Sequence, residues 1–369
     1  MKIPSARMLG ASFCAVLVMF LIGCHAHVEK TTLPLAVFSG NTMGSTYTVK
    51  VVAEHPFTEQ GKRAVKDAIE RVLADIDIKM STYRDDSELS RFNAHRDATP
   101  FSLSRETLEV LSLSQRISKE TDGAFDITVS PLVELWGFGR HKKDEDERQI
   151  PSPEEIAAAQ TRVGYEKMVI DYDAGTVQKT QPDIICDVGA IAPGYATDKV
   201  AEAIQQLGYD NYMVEIGGEV RAHGHNPEKE PWRIGIEKPN PEGRSVQRVV
   251  PLTDAAISTS GDYRNYFEKD GKRYSHEIDP RTGRPIEHNL ASVSVIAPDC
   301  ASADAYATAL MVLGYEQGKT FAEQHTLPVY FIIRTQEGKF ETDESSAFTD
   351  YLKRFESAEE LSPSPKASS

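Results

Sequence analysis

The sequence predicts an α+β fold, because strand-like segments occur in groups and the helix-like segments lie between those groups. Short segments that alternate apolar and polar residues have the two-residue period of a half-buried strand. Longer segments repeat apolar residues every three or four positions, which is the spacing of an amphipathic helix. Strands that follow one another as hairpins pair antiparallel, so this grouping favours α+β over a doubly wound parallel sheet, in which helices alternate regularly with strands.

The first half of the chain combines one strand pair with two helix-like segments. Residues 37–54 predict two strands around a glycine-containing turn, and apolar residues then recur with helical spacing over 59–79. The same spacing returns over 104–121. A charged loop at 141–148 follows, and short strand-like segments occupy part of 167–187.

The second half contains most of the strand-like segments. Helices are predicted at about 194–207 and 302–313. The predicted strands and strand pairs lie at 211–223, 232–237, 249–260, 263–277, 291–297, 331–333 and 340–342. Residues 357–369 are rich in Ser and Pro, and we expect this tail to be disordered.

Length and composition describe a globular chain with an acidic surface. The chain has 369 residues, of which 40% are hydrophobic and 26% charged, enough to bury one large core or two modest ones. Its formal charge is −15 at pH 7. Such a surface repels phosphate backbones and disfavours nucleic acid as a partner. An anionic small ligand would need local help from a metal ion, a helix N-terminus or a few placed cations.

An apolar run near the N-terminus is typical of a signal peptide. Lys2 and Arg7 precede residues 8–22. This apolar stretch is short for a spanning helix and has the length of a signal-peptide core. Leu21 stands three positions before Cys24, with a small residue between them. This resembles a bacterial lipobox, in which the cysteine is acylated and becomes the mature N-terminus. A simple cleavable signal or a signal anchor is the alternative.

These features predict an envelope lipoprotein. Residues 1–23 would be the signal, Cys24 the lipidated residue, 24–36 a tether and 37–350 the folded domain. We expect the protein to be anchored by its lipid to the periplasmic side of the cell membrane, in the inner membrane.

Common nucleotide and zinc signatures are absent from the sequence. There is no Walker A sequence and no G-x-G-x-x-G after a strand. The segment from His276 to Pro280 fails as H-E-x-x-H, because proline stands where the second histidine would be. His223 and His225 form half of a possible metal site, but two histidines beside a turn are more often surface polar residues.

A helix-like segment with one carboxylate and one hydroxyl is a candidate metal site. Asp304 and Thr308 are four residues apart, so both oxygens project from one helical face, and neighbouring alanines leave room for close approach. This pair suits Mg²⁺, which takes few protein oxygens and completes its octahedron with phosphate and water. The alternative is that Asp304 only favours the helix dipole and Thr308 packs.

Three further segments combine small or turn-forming residues. Residues Asp187–Asp198 lie between a strand and a helix, where glycines permit close approach and the helix start offers N–H groups to an anion, although an ordinary turn would look the same. Glu215–Glu219 has a glycine pair inside a strand pattern, which suggests a bulge or tight packing under a ligand. Ser275–Pro285 is turn-forming and contains His276.

Together these motifs resemble the ApbE family, the FAD:protein FMN transferases, from about Gly40 to Ile333. The matching motifs, in the expected order, are Met43–Ser45, Ser81–Tyr83, Ser87–Asn93, Thr121–Thr128 with Pro131 and Leu132, Asp187–Asp198, Gly217–Gly218, His276–Pro285 and Ala303–Leu310. The chain departs from the family at Ser45, where Thr is usual, at Ala190, where Gly is frequent, and at Pro193, where Lys is frequent. Pro193 leaves at most its backbone for flavin binding at that position.

The resemblance implies a two-lobed fold with mixed or antiparallel sheets, flanking helices and an FAD cleft between the lobes. It implies Mg²⁺-dependent transfer of the FMN moiety of FAD to a threonine hydroxyl of an acceptor flavoprotein subunit, through a phosphoester bond, with release of AMP. The implied acceptors belong to membrane redox complexes, such as NADH:quinone reductase or ferredoxin-linked electron-transport subunits. Two alternatives stay open: an Mg²⁺-dependent FAD pyrophosphatase with water as acceptor, and a non-catalytic flavin-binding lipoprotein.

The resemblance also implies roles for individual residues. Mg²⁺ would be held by Asp304, Thr308 and the backbone carbonyl of Ala190. His276 would be the general base that removes the proton of the acceptor hydroxyl, since histidine titrates near neutral pH. The residues that would contact FAD are Met43, Tyr83, Ala124, Phe125, Asp126, Asp187, Pro193 and Ile278.

Two cysteines lie in segments that the resemblance brings together at one metal. Cys186 precedes Asp187, and Cys300 lies four residues before Asp304. In an oxidising compartment we expect these two thiols to form a disulfide if their Cα atoms come within about 7 Å.

Overall fold

A sheet of eight strands runs through the fold. The computed structural model describes residues 32–140, 148–240, 243, 245–263 and 265–360. The order of the strands across the sheet is β1 (Leu35–Thr42), β2 (Ser45–Val52), β6 (Asn211–Ile216), β7 (Glu219–His223), β10 (Ala255–Gly261), β15 (Leu290–Ala297), β16 (Val329–Arg334) and β17 (Phe340–Glu344). Each neighbouring pair is antiparallel, as the grouping of strands predicts.

Smaller sheets complete the β structure of the described residues. One has three strands, in the order β3 (Phe101–Ser102), β5 (Thr176–Lys179) and β4 (Met168–Asp171). The two-stranded sheets are β8 (Trp232–Glu237) with β9 (Val246–Leu252), β11 (Tyr266–Lys269) with β12 (Lys272–Ser275), and β13 (Ile278–Asp279) with β14 (Arg284–Pro285). These pairs are antiparallel as well, so the fold is α+β.

Helices pack around the sheets and begin with side-chain caps at several places. They are α1 (Glu59–Met80), α2 (Glu88–Ala94), α3 (Arg105–Glu120), α4 (Ser130–Leu135), α5 (Pro153–Gln160), α6 (Ala192–Gln206), α7 (Cys300–Gln324) and α8 (Ser346–Glu360). The cap residues whose side-chain oxygen accepts a hydrogen bond from a first-turn N–H are Thr58, Ser87, Ser104, Ser152 and Asp299. Such caps satisfy backbone donors that the helix itself leaves without a partner.

Most elements agree with the sequence pattern, including α6 and the strands β8, β15, β16 and β17, and the differences concern α7 and several helices that were not predicted. The first hairpin, α1 and α3 lie within about two residues of the prediction. Helix α7 extends past the predicted residue 313 because its two helical parts continue across Gly314, where φ is 74°. The short helices α2, α4 and α5 were not predicted, and neither was α8. Helix α8 includes residues 357–360, for which we expected the start of a disordered tail.

Three clusters of buried apolar side chains lie within the described residues. The first fills the space between one face of the large sheet and helices α1, α3, α6 and α7. The second lies on the opposite face, beneath β8, β9 and α8. Neighbouring residues of β15 alternate between them, with Val295 in the first cluster and Ile296 in the second. The third is smaller and joins α4 and α5 to β11 and β13.

Residues 32 and onward belong to one compact unit. The predicted signal (residues 1–23), Cys24 and the tether up to residue 31 lie outside the described residues, as do 141–147 of the charged loop and 361–369 of the tail. Among the helices of the described part, none is long and apolar enough to span a bilayer.

Candidate functional site

A cleft of about 440 Å³ lies between the first and the third clusters of buried side chains. The loop after α3 and the segment before α6 form part of its wall, the end of β10 and the stretch between β12 and β13 form another part, and α7 completes it. Five segments that are far apart in the sequence therefore meet at one cavity.

Most residues that the resemblance implies are brought to this cleft. Those that line it are Ala124, Phe125, Asp126, Asp187, Ala190, His276, Ile278, Asp304 and Thr308. The structure places Met43, Tyr83 and Pro193 outside this lining. Met43 lies at the tip of the β1–β2 hairpin with φ at 49°, and Tyr83 is 73% exposed in the connection between α1 and α2. Pro193 lies in the first turn of α6.

Asp304 is the buried acid of the cleft, with 6% of its surface exposed. Its Oδ2 accepts a hydrogen bond from the backbone N–H of Gly194 at 3.0 Å. Burial raises the pKa of the Asp304 carboxyl well above its usual range, and the nearby charge of Glu219 raises it further. The hydroxyl of Ser258 lies near the carboxyl groups of Asp304 and Glu219 and lowers the pKa of both. It does not form a hydrogen bond to either of them.

A second buried acid, Asp198, fixes the start of α7. Its carboxylate accepts hydrogen bonds from the backbone N–H groups of Cys300 at 2.9 Å and Ala301 at 3.0 Å, and it pairs with Arg221 of β7. Because α7 begins at this clamp, Asp198 helps to hold the helix that carries Asp304. Asp198 was not among the residues predicted to have a role here. The signal for it was an acidic residue within a run of small and apolar residues, all of them buried in α6.

The oxygen atoms around Asp304 fit Mg²⁺. The Thr308 hydroxyl lies 3.5 Å from the Ser260 hydroxyl, and both residues line the cleft together with Ala190. Within the described residues, no group of three or more His, Cys, Asp or Glu side chains is placed to hold a metal ion. A cation here would depend on one carboxylate, hydroxyl and carbonyl oxygens, and oxygens from a ligand or water. That donor set suits Mg²⁺ and not zinc.

His276 follows β12 and is held by the backbone of Asn265. Its N–H donates to the Asn265 carbonyl at 3.0 Å, and ring atom Nδ1 lies 3.0 Å from the same oxygen. A carbonyl oxygen only accepts, so the neutral ring carries its proton on Nδ1 and leaves the Nε2 lone pair available. His276 therefore has the tautomer that a general base acting through Nε2 requires.

Two further carboxylates fix the loops of the cleft. Asp126 accepts from the backbone N–H of Thr128 at 2.8 Å and of Tyr165 at 2.8 Å, which holds the loop after α3. Asp187 accepts from the N–H of Gly189 at 2.8 Å, and its own N–H donates to the Ile127 carbonyl. Burial raises the pKa of both carboxyls. These bonds pin the two segments expected to contact the flavin.

The expected disulfide is not formed, because Cys186 and Cys300 are both free and buried. The Cys186 sulfur packs 3.0 Å from that of Met168, whereas Cys300 lies at the start of α7 against Asp198. The segments that contain these cysteines meet through the hydrogen bond between Gly194 and Asp304, and not through the cysteines themselves.

Comparisons with known proteins identify the family of this chain. The model of the ApbE family matches residues 43–331. The FAD:protein FMN transferase of Haemophilus influenzae is 43% identical over 346 residues, which cover 93% of this chain and 97% of the relative. That of Escherichia coli K12 is 41% identical over 341 residues, or 90% and 95% of the two chains.

Solved structures have a similar fold. The flavin transferase ApbE from Vibrio cholerae has a TM-score of 0.78 at 43% identity, and the match covers 87% of this chain and 100% of that one. The apo form of the Pseudomonas stutzeri flavinyl transferase ApbE has a TM-score of 0.78 at 39% identity, covering 87% and 98%.

Proposed function

The chain belongs to the ApbE family, and from that premise we propose that it transfers the FMN moiety of FAD to a threonine hydroxyl of an acceptor flavoprotein subunit, releasing AMP. The observation that carries the proposal is that His276, Asp304 and Thr308 line one cleft. His276 lies outside α7, the helix that contains the other two, and 27 residues of the chain lie between it and Asp304. A base and a cation site facing one cavity are what transfer of a phosphate-linked group requires.

We propose that Asp304, Thr308 and the backbone carbonyl of Ala190 hold Mg²⁺. The support is that all three residues line one cleft and that each offers an oxygen atom. When bound, Mg²⁺ would neutralise charge on the pyrophosphate of FAD. This help matters for a chain with a formal charge of −15, whose overall field repels an anionic ligand. The clamp at Asp198 keeps Asp304 in place without the ion.

His276 would act on the acceptor. Its Nε2 takes the proton of the threonine hydroxyl as that oxygen forms a bond to the FMN phosphorus, and the bond between this phosphorus and the AMP oxygen breaks. The Asn265 carbonyl holds Nδ1–H throughout, so the ring keeps its orientation. The products are a threonine phosphoester of FMN and AMP, and the proton leaves His276 for solvent.

We also propose that Cys24 carries lipid and holds the enzyme on the periplasmic side of the inner membrane. The support is the signal-like run of residues 8–22 with Leu21 three positions before Cys24. Its acceptors would then be flavoprotein subunits of membrane redox complexes, whose threonine side chains face the same compartment.

The test is incubation of the protein with FAD, Mg²⁺ and a candidate flavoprotein subunit, followed by intact-mass measurement and assay of AMP. We expect the subunit to gain the mass of an FMN phosphoester, and AMP release to depend on the subunit. AMP release at the same rate without the subunit would instead identify a pyrophosphatase. FAD binding with no AMP under either condition would identify a flavin-binding protein without turnover.

A further inference from the structure

An acidic side chain stands beside the reactive nitrogen of His276. The Nε2 atom of His276 lies 3.5 Å from Oε1 of Glu277, the next residue in the chain. Glu277 lines the same cleft, and its side chain is only 13% exposed. The opposite side of the ring is held by Asn265, so Nε2 faces both the cavity and this carboxyl group.

Among the described residues, the charged group that favours an ionised Glu277 carboxylate is His276. Burial raises the pKa of its carboxyl, the charge of His276 lowers it, and Asp262 raises it. Asp262 is itself paired with Arg334 through two hydrogen bonds of 3.1 and 3.0 Å. Arg273 donates to the backbone carbonyl of Asp262 and not to Glu277. The cation that Glu277 is placed to meet is therefore a protonated His276.

We propose that Glu277 is a positioning residue for the base, whose carboxylate stabilises the imidazolium that His276 becomes when it deprotonates the acceptor hydroxyl. This rests on the proposed function. No atom of Glu277 reacts: the proton goes from the hydroxyl to Nε2, and the two charges then lie at ion-pair distance. An opposite charge this close, on a carboxyl group that is itself largely buried, favours the charged form of the ring.

A neutral isostere tests the proposal. Loss of the negative charge in Glu277→Gln makes His276 a weaker base that stays unprotonated to lower pH. We expect the acidic limb of the profile of kcat/KM against pH to move down by about one pH unit, together with a lower plateau. A merely structural role for Glu277 would lower the plateau and leave the acidic limb where it is.

Two variants on the same stretch of chain serve as matched controls. Glu277→Asp keeps the charge and should return the acidic limb to within a few tenths of a pH unit of the parent. Glu287→Gln removes an equal charge from an exposed side chain that pairs with Lys272 at 2.7 Å, and its profile should match the parent. An unmoved limb in Glu277→Gln, or an equal shift in Glu287→Gln, overturns the proposal.

A measurement on the parent protein separates this proposal from the transferase function and does not depend on how Glu277→Gln folds. In the mature lipoprotein in detergent micelles, we follow the Glu277 side-chain carbon and the His276 ring by NMR across pH. We expect each set of signals to show a second inflection at the pH where the other group titrates. Independent single inflections overturn the pairing even if FMN transfer is normal, whereas coupled inflections support it even if transfer is absent.

Discussion

The carboxylate of Asp304 accepts a hydrogen bond from the backbone N–H of Gly194 at 3.0 Å. This bond joins α7 to the first turn of α6, and it requires the two helices to come very close. A Cβ atom added at Gly194 would lie 2.4 Å from the backbone carbonyl oxygen of Cys300. The candidate metal site thus depends on a contact between helices, and not on the spacing of Asp304 and Thr308 alone.

The Asp304→Ala variant tests whether this acid serves a cation. Because the proposed site offers Mg²⁺ too few protein ligands for tight binding alone, the ion should bind together with the pyrophosphate of FAD. We expect FMN transfer to be abolished and FAD affinity, measured by calorimetry, to fall much more in Mg²⁺ than in EDTA.

Asp299→Ala is the control for a simple effect on the helix start. Asp299 caps α7 by accepting from the N–H of Ser302, so its loss should cost about 1 kcal/mol of stability without changing the dependence on Mg²⁺. Equal weakening of FAD binding in both media by Asp304→Ala would leave Asp304 with a structural role only.

Gly194→Ala tests the close approach of α6 and α7. The neighbouring atoms are backbone atoms of Cys300 and Ala301, which cannot rotate away. We expect a loss of about 1–3 kcal/mol in the free energy of unfolding, measured with urea. Gly243→Ala, at a position with no atom within 4 Å of the added Cβ, should change it by less than about 0.5 kcal/mol. Similar values for the two variants would show that the helices separate easily.

The sequence predicted those parts of the structure that local patterns determine. Alternation and helical spacing located the first hairpin, α1 and α3, because one face of each contributes side chains to the first buried cluster. The short helices α4 and α5 have too few turns to show a period. Helix α7 was predicted too short because Gly314 looks like an end, whereas the ring of His288 packs against this glycine and the helix resumes beyond it.

The candidate site was predicted as a set of motifs, and its supports were not. Asp304, Thr308 and His276 were predicted from their motifs, and the structure brings all three to one cleft. The clamp of Asp198 on the start of α7 joins residues about 100 positions apart, so the local sequence indicates only a buried acid in α6 and not the groups that it binds. Glu277 was read only as the residue after His276, and its closeness to Nε2 follows from the bend between β12 and β13.

Alkylation tests the state of the two buried cysteines, for which the expected disulfide was wrong. Burial raises the pKa of the Cys186 thiol to about 12 and that of Cys300 well above its usual range, so neither forms a thiolate near pH 8. We expect iodoacetamide to leave both unmodified in the folded protein and to modify both in guanidinium chloride without reductant, as read by peptide mass spectrometry. Modification that needs a reductant would show that they are bridged.

Cys24→Ala tests the proposed lipid anchor. Without the thiol that receives the lipid, the chain should lose its membrane attachment, and we expect cell fractionation to find it in the soluble periplasmic fraction. Cys14→Ala, within the apolar run of the signal, is the matched control and should stay in the membrane fraction. If Cys24→Ala stays there as well, the protein is held by a signal anchor.

Replacement of His276 tests whether the ring takes part in the chemical step. A base acts on the acceptor hydroxyl as the new bond to phosphorus forms, so we expect His276→Ala and His276→Asn both to lower turnover by roughly 10²–10⁴-fold, while FAD affinity stays nearly the same. The Asn variant retains an N–H group that can donate to the Asn265 carbonyl in place of Nδ1. If His276 only held the segment after β12 in place, the Asn variant would have almost the same turnover as the parent. Turnover is followed both as FMN mass gained by the acceptor and as AMP released. If FMN transfer is lost and AMP release is unchanged, His276 directs the FMN group to the acceptor protein, and water reacts with FAD without the help of His276.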